Sequence, residues 1–329
     1  MLPASWNGAC SAGGPDQLRK RRIGSLEVTV VGIGCNNFGR QLDVERSRSV
    51  IYAALDQGIN FFDTADQYGR PRTSSESFIG EIMGSRRDEA IIATKFGRVL
   101  DETRHGAKAT YVKSATEDSL RRLRTDRIDL MQLHIPDPTT PIEETLGALA
   151  DLVTEGKIRE IGASNFNVAQ LREAASAATA HNTPGFVSTQ SEYSLLNRTA
   201  EANVLAECER TGIGFLPYFP LYNGLLTGKY KAGAVLPKET RIGGKSESEQ
   251  AAIFSERNMK IVAALTAYAE QRGHTLLELA FAWLLSHAAI PSVIAGVSSP
   301  QQVAANAAAA RWELSPSEIA DIEQLAPLT

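Results

Sequence analysis

The chain has 329 residues, of which 43% are hydrophobic and 22% charged, and its formal net charge is −4. This composition is typical of a globular protein and offers no basic surface for nucleic acid. No apolar run reaches the ~20 residues of a membrane-spanning helix, so we expect a cytoplasmic protein without membrane contacts. The cysteines are too few and too widely spaced for a disulfide framework or a structural zinc site, namely Cys10, Cys35 and Cys208.

The N-terminal segment, residues 1–17, is rich in glycine, alanine and proline and has no apolar signal core. We predict a disordered tail there, followed by a single domain over residues 18–329. Residues 21–28 open this domain with a pattern that predicts a β-hairpin, placed as a plug at the bottom of the fold.

One unit recurs along the domain, consisting of a segment with helical periodicity, a glycine and a short apolar strand. Gly58, Gly156 and Gly212 stand where a helix C-cap requires positive φ. The predicted strands cover residues 28–32, 59–62, 90–95, 128–134, 157–162, 186–190, 213–216 and 292–295. Helical periodicity is clearest over residues 44–57, 110–123, 142–154 and 258–272. This alternation predicts an α/β fold whose parallel strands close into a (β/α)8 TIM barrel, in preference to a doubly wound sheet.

A long polar stretch interrupts the alternation after the seventh strand, over residues 224–257. Irregular segments of this length in compact domains are functional lids or disordered segments. We therefore expect a lid loop beside the mouth of the barrel.

Polar side chains stand at the ends of three neighbouring predicted strands. Asp63 ends the second strand and Tyr68 follows five residues later, Lys95 ends the third strand, and His134 ends the fourth. The carboxyl ends of barrel strands converge on one face, so we expect these four side chains to meet. A lysine at the end of an apolar strand needs a counter-ion, and Asp63 is the natural one.

The same four residues suggest proton-transfer chemistry. A neighbouring Lys95 would lower the pKa of Tyr68 below its ordinary ~10 and make it a general acid. His134 would donate a hydrogen bond to the same substrate oxygen. Each residue alone has a structural interpretation, as a helix cap, an ion-pair member or a packing residue, and it is their combination that favours a catalytic site.

With these residues, the chain from about residue 21 to the C-terminus resembles the aldo-keto reductase superfamily of NAD(P)H-dependent (β/α)8-barrel oxidoreductases. The catalytic tetrad of that family matches Asp63, Tyr68, Lys95 and His134. The resemblance implies reduction of an aldehyde or ketone to an alcohol, with reversible alcohol oxidation as the opposite direction. Tyr68 would be the proton donor, tuned by Lys95 and Asp63, and His134 would orient the carbonyl.

The resemblance also implies the residues that hold the cofactor. Ser164, Asn165 and Gln190 would bind the nicotinamide carboxamide, and Tyr218 would stack on the ring. A loop would close over the pyrophosphate, and it comprises Leu221, Gly224, Leu226, Gly228 and Lys229. The last helix would receive the adenosine end at its N-terminus, through Gly296, Ser298, Ser299, Gln302 and Asn306.

Two positions depart from the family pattern. Phe219 stands where related enzymes usually have a small hydroxyl residue, and Gln302 stands nearest to the arginine that often clamps the 2′-phosphate of NADP. Ser298, Ser299 and the helix N-terminus can still bind a phosphate. The resemblance to the family, more than these residues, implies NADPH, with NADH possible.

The glycines Gly32 and Gly34 begin like a dinucleotide-binding motif, but Asn37 stands in place of the third glycine. We interpret the segment as the mouth of the substrate pocket, where Asn36, Asn37 and Phe38 join Tyr68 and His134. The other predicted pocket loops are residues 96–108, 136–139 and 222–257. The expected partner is a neutral, partly apolar carbonyl compound of small size, and the sequence assigns no oligomeric state.

Two other functions fit parts of the pattern. Some members of the superfamily are regulatory subunits, such as those of potassium channels, in which the bound cofactor acts as a redox sensor with slow turnover. A (β/α)8 isomerase or lyase would fit the barrel equally well but would leave Ser164, Asn165 and Gln190 without a role.

Overall fold

The computed structural model describes residues 17–230 and 242–328. Its strands are β1 (Lys20–Ile23), β2 (Leu26–Thr29), β3 (Val31–Gly34), β4 (Phe61–Asp63), β5 (Ile91–Phe96), β6 (Ile128–Leu133), β7 (Ile158–Ser164), β8 (Ser188–Glu192), β9 (Gly214–Tyr218) and β10 (Val293–Gly296). Its α-helices are α1 (Val44–Asp56), α2 (Ser74–Met83), α3 (Ala109–Leu123), α4 (Ile142–Thr154), α5 (Val168–His181), α6 (Ala206–Thr211), α7 (Glu247–Ile253), α8 (Glu256–Glu270), α9 (Leu276–Ser286), α10 (Pro300–Ala309) and α11 (Pro316–Leu325). None of the helices in these two ranges is long and apolar enough to cross a membrane.

In the described chain, eight parallel strands form one sheet in the order β10-β3-β4-β5-β6-β7-β8-β9. The two outer strands of this order, β9 and β10, lie in contact, so the sheet curls into a nearly closed barrel. Helices connect successive strands on the outside. The prediction of a (β/α)8 barrel is confirmed.

The first strand of the barrel begins later than predicted. Val28 belongs to the hairpin, where it pairs with Arg21 on the antiparallel strand β1. The barrel strand starts at Val31, which pairs with Val293. The run from Val28 to Val31 contains no turn residue that separates the two strands in the sequence. At the end of β2, the Thr29 hydroxyl donates to the carbonyl of Val31 at 2.8 Å.

The helix ends follow the local signals of the sequence. Gly58, Gly156 and Gly212 have φ angles of 74°, 74° and 76°, as predicted for the residues that end a helix. Helix α8 starts two residues earlier than the periodicity predicts, because the Ser255 hydroxyl accepts a hydrogen bond from the N–H of Asn258 and caps it.

The segment after β9 contains regular structure. A 3₁₀ helix covers Tyr222–Thr227, and the seven-residue helix α7 is capped by Ser246 and Glu249 in a reciprocal capping box. Residues 231–241, in the middle of the predicted lid, lie outside the described residues, as do residues 1–16 of the predicted tail.

The hairpin closes the bottom of the barrel. Ile23, Leu26 and Val28 form one apolar cluster with side chains from the barrel interior, and these are Phe61, Ala93, Leu130, Leu216 and Ile294. Side chains alternate between the two faces of a strand, so the interior positions two residues further along belong to the mouth. Asp63, Lys95 and Tyr218 are such positions. The plug therefore leaves the carboxyl ends of the strands as the open end.

Candidate active site

A buried ion pair lies at the centre of the barrel mouth. Lys95 has no exposed surface, and its Nζ donates to Asp63 Oδ2 at 2.6 Å and to the carbonyl of Thr64 at 2.9 Å. Burial lowers the pKa of Lys95, but the nearby Asp63 and Tyr68 raise it more, so that the pKa lies above its ordinary value. Lys95 is therefore a fixed positive charge, and Asp63 is its counter-ion as the sequence predicted.

Two glutamines complete the coordination of Asp63. The second carboxylate oxygen, Oδ1, accepts from Gln190 Nε2 at 3.0 Å and from Gln132 Nε2 at 3.2 Å. Together with the bond from Lys95, these bonds occupy both oxygens of the Asp63 carboxylate, which is 4% exposed. Asp63 is therefore unsuited to act as a base. Gln132 was missed in the sequence. The signal was present, because Gln132 lies in β6 two residues before His134, and residues two apart in an extended chain point to the same side.

Tyr68 lies in the turn after β4, next to the ion pair. Lys95 Nζ is 5.1 Å from the centre of its ring, and the ring of His134 meets it edge-on with 6.0 Å between centroids. Burial raises the pKa of Tyr68, and the charge of Lys95 offsets only part of this rise. The expected lowering of the pKa is therefore wrong in direction. The phenol is held protonated at neutral pH, which is the form that a proton donor needs.

His134 is a neutral imidazole. Burial, together with the positive charges of Lys95 and Arg98, lowers its pKa to about 2. Its Nδ1 is buried and has no hydrogen-bond partner among the described residues. A neutral imidazole carries one N–H, so His134 can donate a single hydrogen bond to a ligand in the mouth. Because it is uncharged, it adds no second positive charge beside Lys95.

A cavity of about 1110 Å³ opens from these residues along the barrel mouth. Most of the predicted site residues line it, and these are Asn36, Asp63, Tyr68, His134, Ser164, Asn165, Gln190, Tyr218, Leu221, Gly224, Lys229, Gly296, Ser298, Gln302 and Asn306. Lys95 lies behind this lining. Phe38 and Leu226 are fully buried in the core and do not reach the cavity, and neither Gly228 nor Ser299 lines it. The assignment of Phe38 to the substrate pocket is therefore not supported.

Ser164, Asn165 and Tyr218 form a hydrogen-bonded group at one side of the mouth. Asn165 adopts a φ of 62°, and its Nδ2 donates to the His134 carbonyl and to Ser164 Oγ, both at 3.0 Å. Its Oδ1 accepts from the Tyr218 hydroxyl at 3.0 Å. The amide of Asn165 is thus occupied, and the hydroxyl proton of Ser164 remains available for a ligand.

The far end of the cavity suits phosphate groups. Lys229 has no carboxylate within ion-pair distance in the described part of the chain. Its Nζ lies beside Gly224, 3.5 Å from the position that a Cβ would take there. Helix α10 begins there with Ser299 as its N-cap. The partial positive charge of the helix N-terminus favours an anion. A dinucleotide therefore fits a cavity that joins the Tyr68 end to the start of α10.

Comparison with known proteins decides the family. The sequence model of the aldo/keto reductase family matches residues 30–327. The chain belongs to this family. An aldo-keto reductase is an oxidoreductase enzyme that uses a nicotinamide cofactor, and the cavity that links Tyr68 with α10 fits such a molecule.

Three similar proteins illustrate the range of the family. L-glyceraldehyde 3-phosphate reductase of Escherichia coli K12 is 31% identical over 322 residues, covering 94% of this chain and 92% of that protein. The Arabidopsis thaliana protein named "Probable voltage-gated potassium channel subunit beta" is 33% identical over 85% of this chain and 87% of its own. The holo structure of an aldo-keto reductase from Bacillus halodurans has a TM-score of 0.76 at 31% identity, covering 94% of this chain and 96% of that chain.

Proposed function

We propose that this aldo-keto reductase reduces an aldehyde or ketone to an alcohol with NADPH, and that Tyr68 is the proton donor. The observation that carries the proposal is the meeting of Tyr68, Lys95 and His134 at one end of a cavity whose other end is the start of α10. The reverse reaction, alcohol oxidation, uses the same site.

Each side chain of the site has a separate role at the reacting carbonyl. When bound, the nicotinamide supplies the hydride that the carbonyl carbon accepts. Tyr68, kept protonated by burial, donates its proton to the carbonyl oxygen, while the charge of Lys95 stabilises the phenolate that remains. The neutral His134 donates a hydrogen bond to the same oxygen and fixes its position. Asp63 holds Lys95 in place.

The carboxamide of the nicotinamide is assigned to Ser164 and Gln190. The free hydroxyl proton of Ser164 suits the carboxamide oxygen. Gln190 uses an N–H on Asp63 and keeps its amide oxygen as an acceptor for the carboxamide N–H. Tyr218 offers a ring face beside them, tied to Asn165. These contacts would choose which face of the nicotinamide ring is presented to the substrate.

Replacement of the proton donor tests the proposal. We expect Tyr68→Phe to lower kcat/KM for carbonyl reduction by about 10² to 10⁴-fold, because the proton donor is lost while the ring is kept. Binding of NADPH, followed by fluorescence titration, should stay within about twofold, since the phenol is assigned to the substrate oxygen. Tyr52→Phe, outside the cavity, is the matched control. Full turnover in Tyr68→Phe would contradict the assignment.

The preference for NADPH over NADH is assigned to the start of α10, where the N-terminus of the helix favours the additional phosphate of NADPH. Gln302 Oε1 accepts there from the N–H of Ser298 at 2.8 Å, so its amide occupies a donor that a 2′-phosphate would use. We expect Gln302→Arg to tighten NADPH binding about tenfold and to leave NADH binding unchanged, because a guanidinium binds phosphate through charge-assisted bonds. Gln301→Arg adds the same charge one residue away, outside the cavity lining, and is the control. Wild-type protein that binds NADH more tightly than NADPH would overturn the choice.

A redox-sensing subunit is the alternative function, and the similarity to the Arabidopsis protein named as a potassium channel subunit does not favour it over the reductase. The two functions differ in turnover. A sensor binds cofactor tightly but reduces simple carbonyls very slowly, whereas the complete Asp63, Tyr68, Lys95 and His134 arrangement supports multiple turnover. Single-turnover and steady-state rates measured on one carbonyl panel separate them.

A further inference from the structure

Four arginines line the cavity on one side of the barrel mouth. Arg40 follows β3, Arg70 and Arg72 follow β4, and Arg98 follows β5. The groups assigned to the nucleotide follow β7, β8, β9 and β10. In the sheet order β5 is four strands from β9, and β4 is four strands from β8, so these loops face each other across a ring of eight. The arginine loops after β4 and β5 therefore face the nucleotide groups.

None of the four has an acidic partner in the described part of the chain. Across residues 17–230 and 242–328, no carboxylate lies within ion-pair distance of Arg40, Arg70, Arg72 or Arg98. The other charged residues of the lining are Lys229, at the phosphate end, and Asp63, which is neutralised by Lys95. A chain with a net charge of −4 thus surrounds this cavity with an excess of positive charge. Guanidinium groups stay charged at every working pH.

Arg98 follows Lys95 by three residues, on the loop after β5, and lines the same cavity as Tyr68 and His134. Its Nε is buried and has no hydrogen-bond partner among the described residues. Its charge is one of the influences that lower the pKa of His134, after burial and Lys95, and it also acts on Tyr68 and Tyr218. A half-buried guanidinium without a hydrogen-bond partner among the described residues keeps N–H donors that a ligand can satisfy.

The neighbouring loops hold this arginine at the rim. Arg72 Nη1 donates to the carbonyls of Val99 at 2.8 Å and Leu100 at 2.5 Å, the two residues that follow Arg98. The N–H of Arg70 donates to the carbonyl of Gly39 at 2.7 Å, which ties the loop after β4 to the loop after β3. The four arginines thus belong to one connected rim rather than to separate mobile loops.

We propose that the substrate is a carbonyl compound that carries an anionic group, phosphate or carboxylate, and that Arg98 is the residue that binds this group. The proposal rests on the proposed function, since it places the anion beside the carbonyl that Tyr68 protonates. Arg40, Arg70 and Arg72 supply the surrounding positive field and steer the anion to the mouth. This proposal differs from the neutral substrate expected from the sequence.

Pairs of substrates that differ in the anionic group test the proposal in the wild-type enzyme. Glyceraldehyde 3-phosphate against glyceraldehyde probes phosphate, and succinic semialdehyde against butanal probes carboxylate. We expect kcat/KM to favour the anionic member of at least one pair by more than tenfold at low salt, with the preference narrowing as salt rises. The pair with the larger ratio identifies the anion. Equal or reversed ratios in both pairs, with neutral carbonyls reduced well, would overturn this proposal alone, whereas no reduction of any probe would overturn the proposed function.

Variants of Arg98 test the residue. We expect Arg98→Met to lower the ratio of anionic to neutral kcat/KM at least tenfold, mainly through KM for the anionic probe, and Arg98→Lys to recover part of the ratio. Arg46→Met removes the same charge from an exposed position on α1 outside the cavity and should leave the ratio unchanged. An equal loss on both probes would show a structural or catalytic role. Weakened NADPH binding in proportion would assign Arg98 to the cofactor, and either result overturns the proposal.

Discussion

Asp66 lies three residues after Asp63, and the two carboxyl groups have very different surroundings. Asp63 accepts three hydrogen bonds from side chains, whereas no side chain among the described residues donates to Asp66. Burial and the nearby Glu76 raise the pKa of Asp66 to about 8. Asp66 is therefore neutral in the folded protein at pH 7, and it serves the packing behind the site rather than the chemistry.

Stability measurements over pH test this difference. Between about pH 4 and about pH 8 Asp66 is protonated when folded and ionised when unfolded, so unfolding releases a proton and stability falls as pH rises. Asp66→Asn removes this dependence. We expect its free energy of unfolding, relative to wild type, to rise by about 4 kcal/mol between about pH 5 and about pH 9, measured in urea. Asp126→Asn, at an exposed position, is the control, and a constant difference for Asp66→Asn across this range would refute the argument.

At the scale of the elements, helix α2 packs against α3 through a glycine. A Cβ added at Gly80 would lie 2.5 Å from the carbonyl carbon of Leu123, closer than any real contact, so the backbones can approach only without a side chain there. The contact matters for the site, because α2 follows directly on the loop that carries Tyr68 and Arg72. Gly147, in the middle of α4, has no atom within 4 Å of the same added Cβ.

The two glycines give opposite predictions for one substitution. Gly80→Ala should destabilise the protein by about 3 kcal/mol, because the added methyl group forces the helices apart. Gly147→Ala should stabilise it by about 1 kcal/mol, because alanine loses less backbone entropy in a helix. Thermal unfolding of both variants beside wild type measures the two effects. A similar change in both would mean that helix propensity, and not the approach of α2 to α3, decides the outcome.

At the scale of the whole molecule, the N-terminal hairpin determines which end of the barrel is open. Leu26 has no exposed surface and packs with Phe61 and Leu216, which lie inside the barrel below the site residues. The interior is thus filled in two levels, an apolar one at the bottom and a polar one at the mouth. The hairpin contributes stability to the fold without touching the cavity.

Shortening one side chain of the plug should separate stability from activity. We expect Leu26→Ala to lower the free energy of unfolding by about 2–5 kcal/mol through lost burial and a cavity. Activity per folded molecule, assayed well below the melting temperature, should be retained. Leu328→Ala, at a position 57% exposed, is the control and should change stability little. A strong loss of activity in folded Leu26→Ala would show that the plug also shapes the mouth.

The sequence by itself determined the barrel and pointed to the candidate catalytic residues, because both follow from local patterns. Alternating helices and strands fix the (β/α)8 fold, and parallel strands bring Asp63, Lys95 and His134 to one end. Only the tertiary structure decided the electrostatics of that end. The direction of the pKa shift at Tyr68 depends on how deeply the ring is buried, and the positive rim around Arg98 is assembled from three separate loops. How deeply a side chain is buried, and which charges surround it, depend on residues that are far apart in the chain. No local pattern in the sequence predicts either quantity.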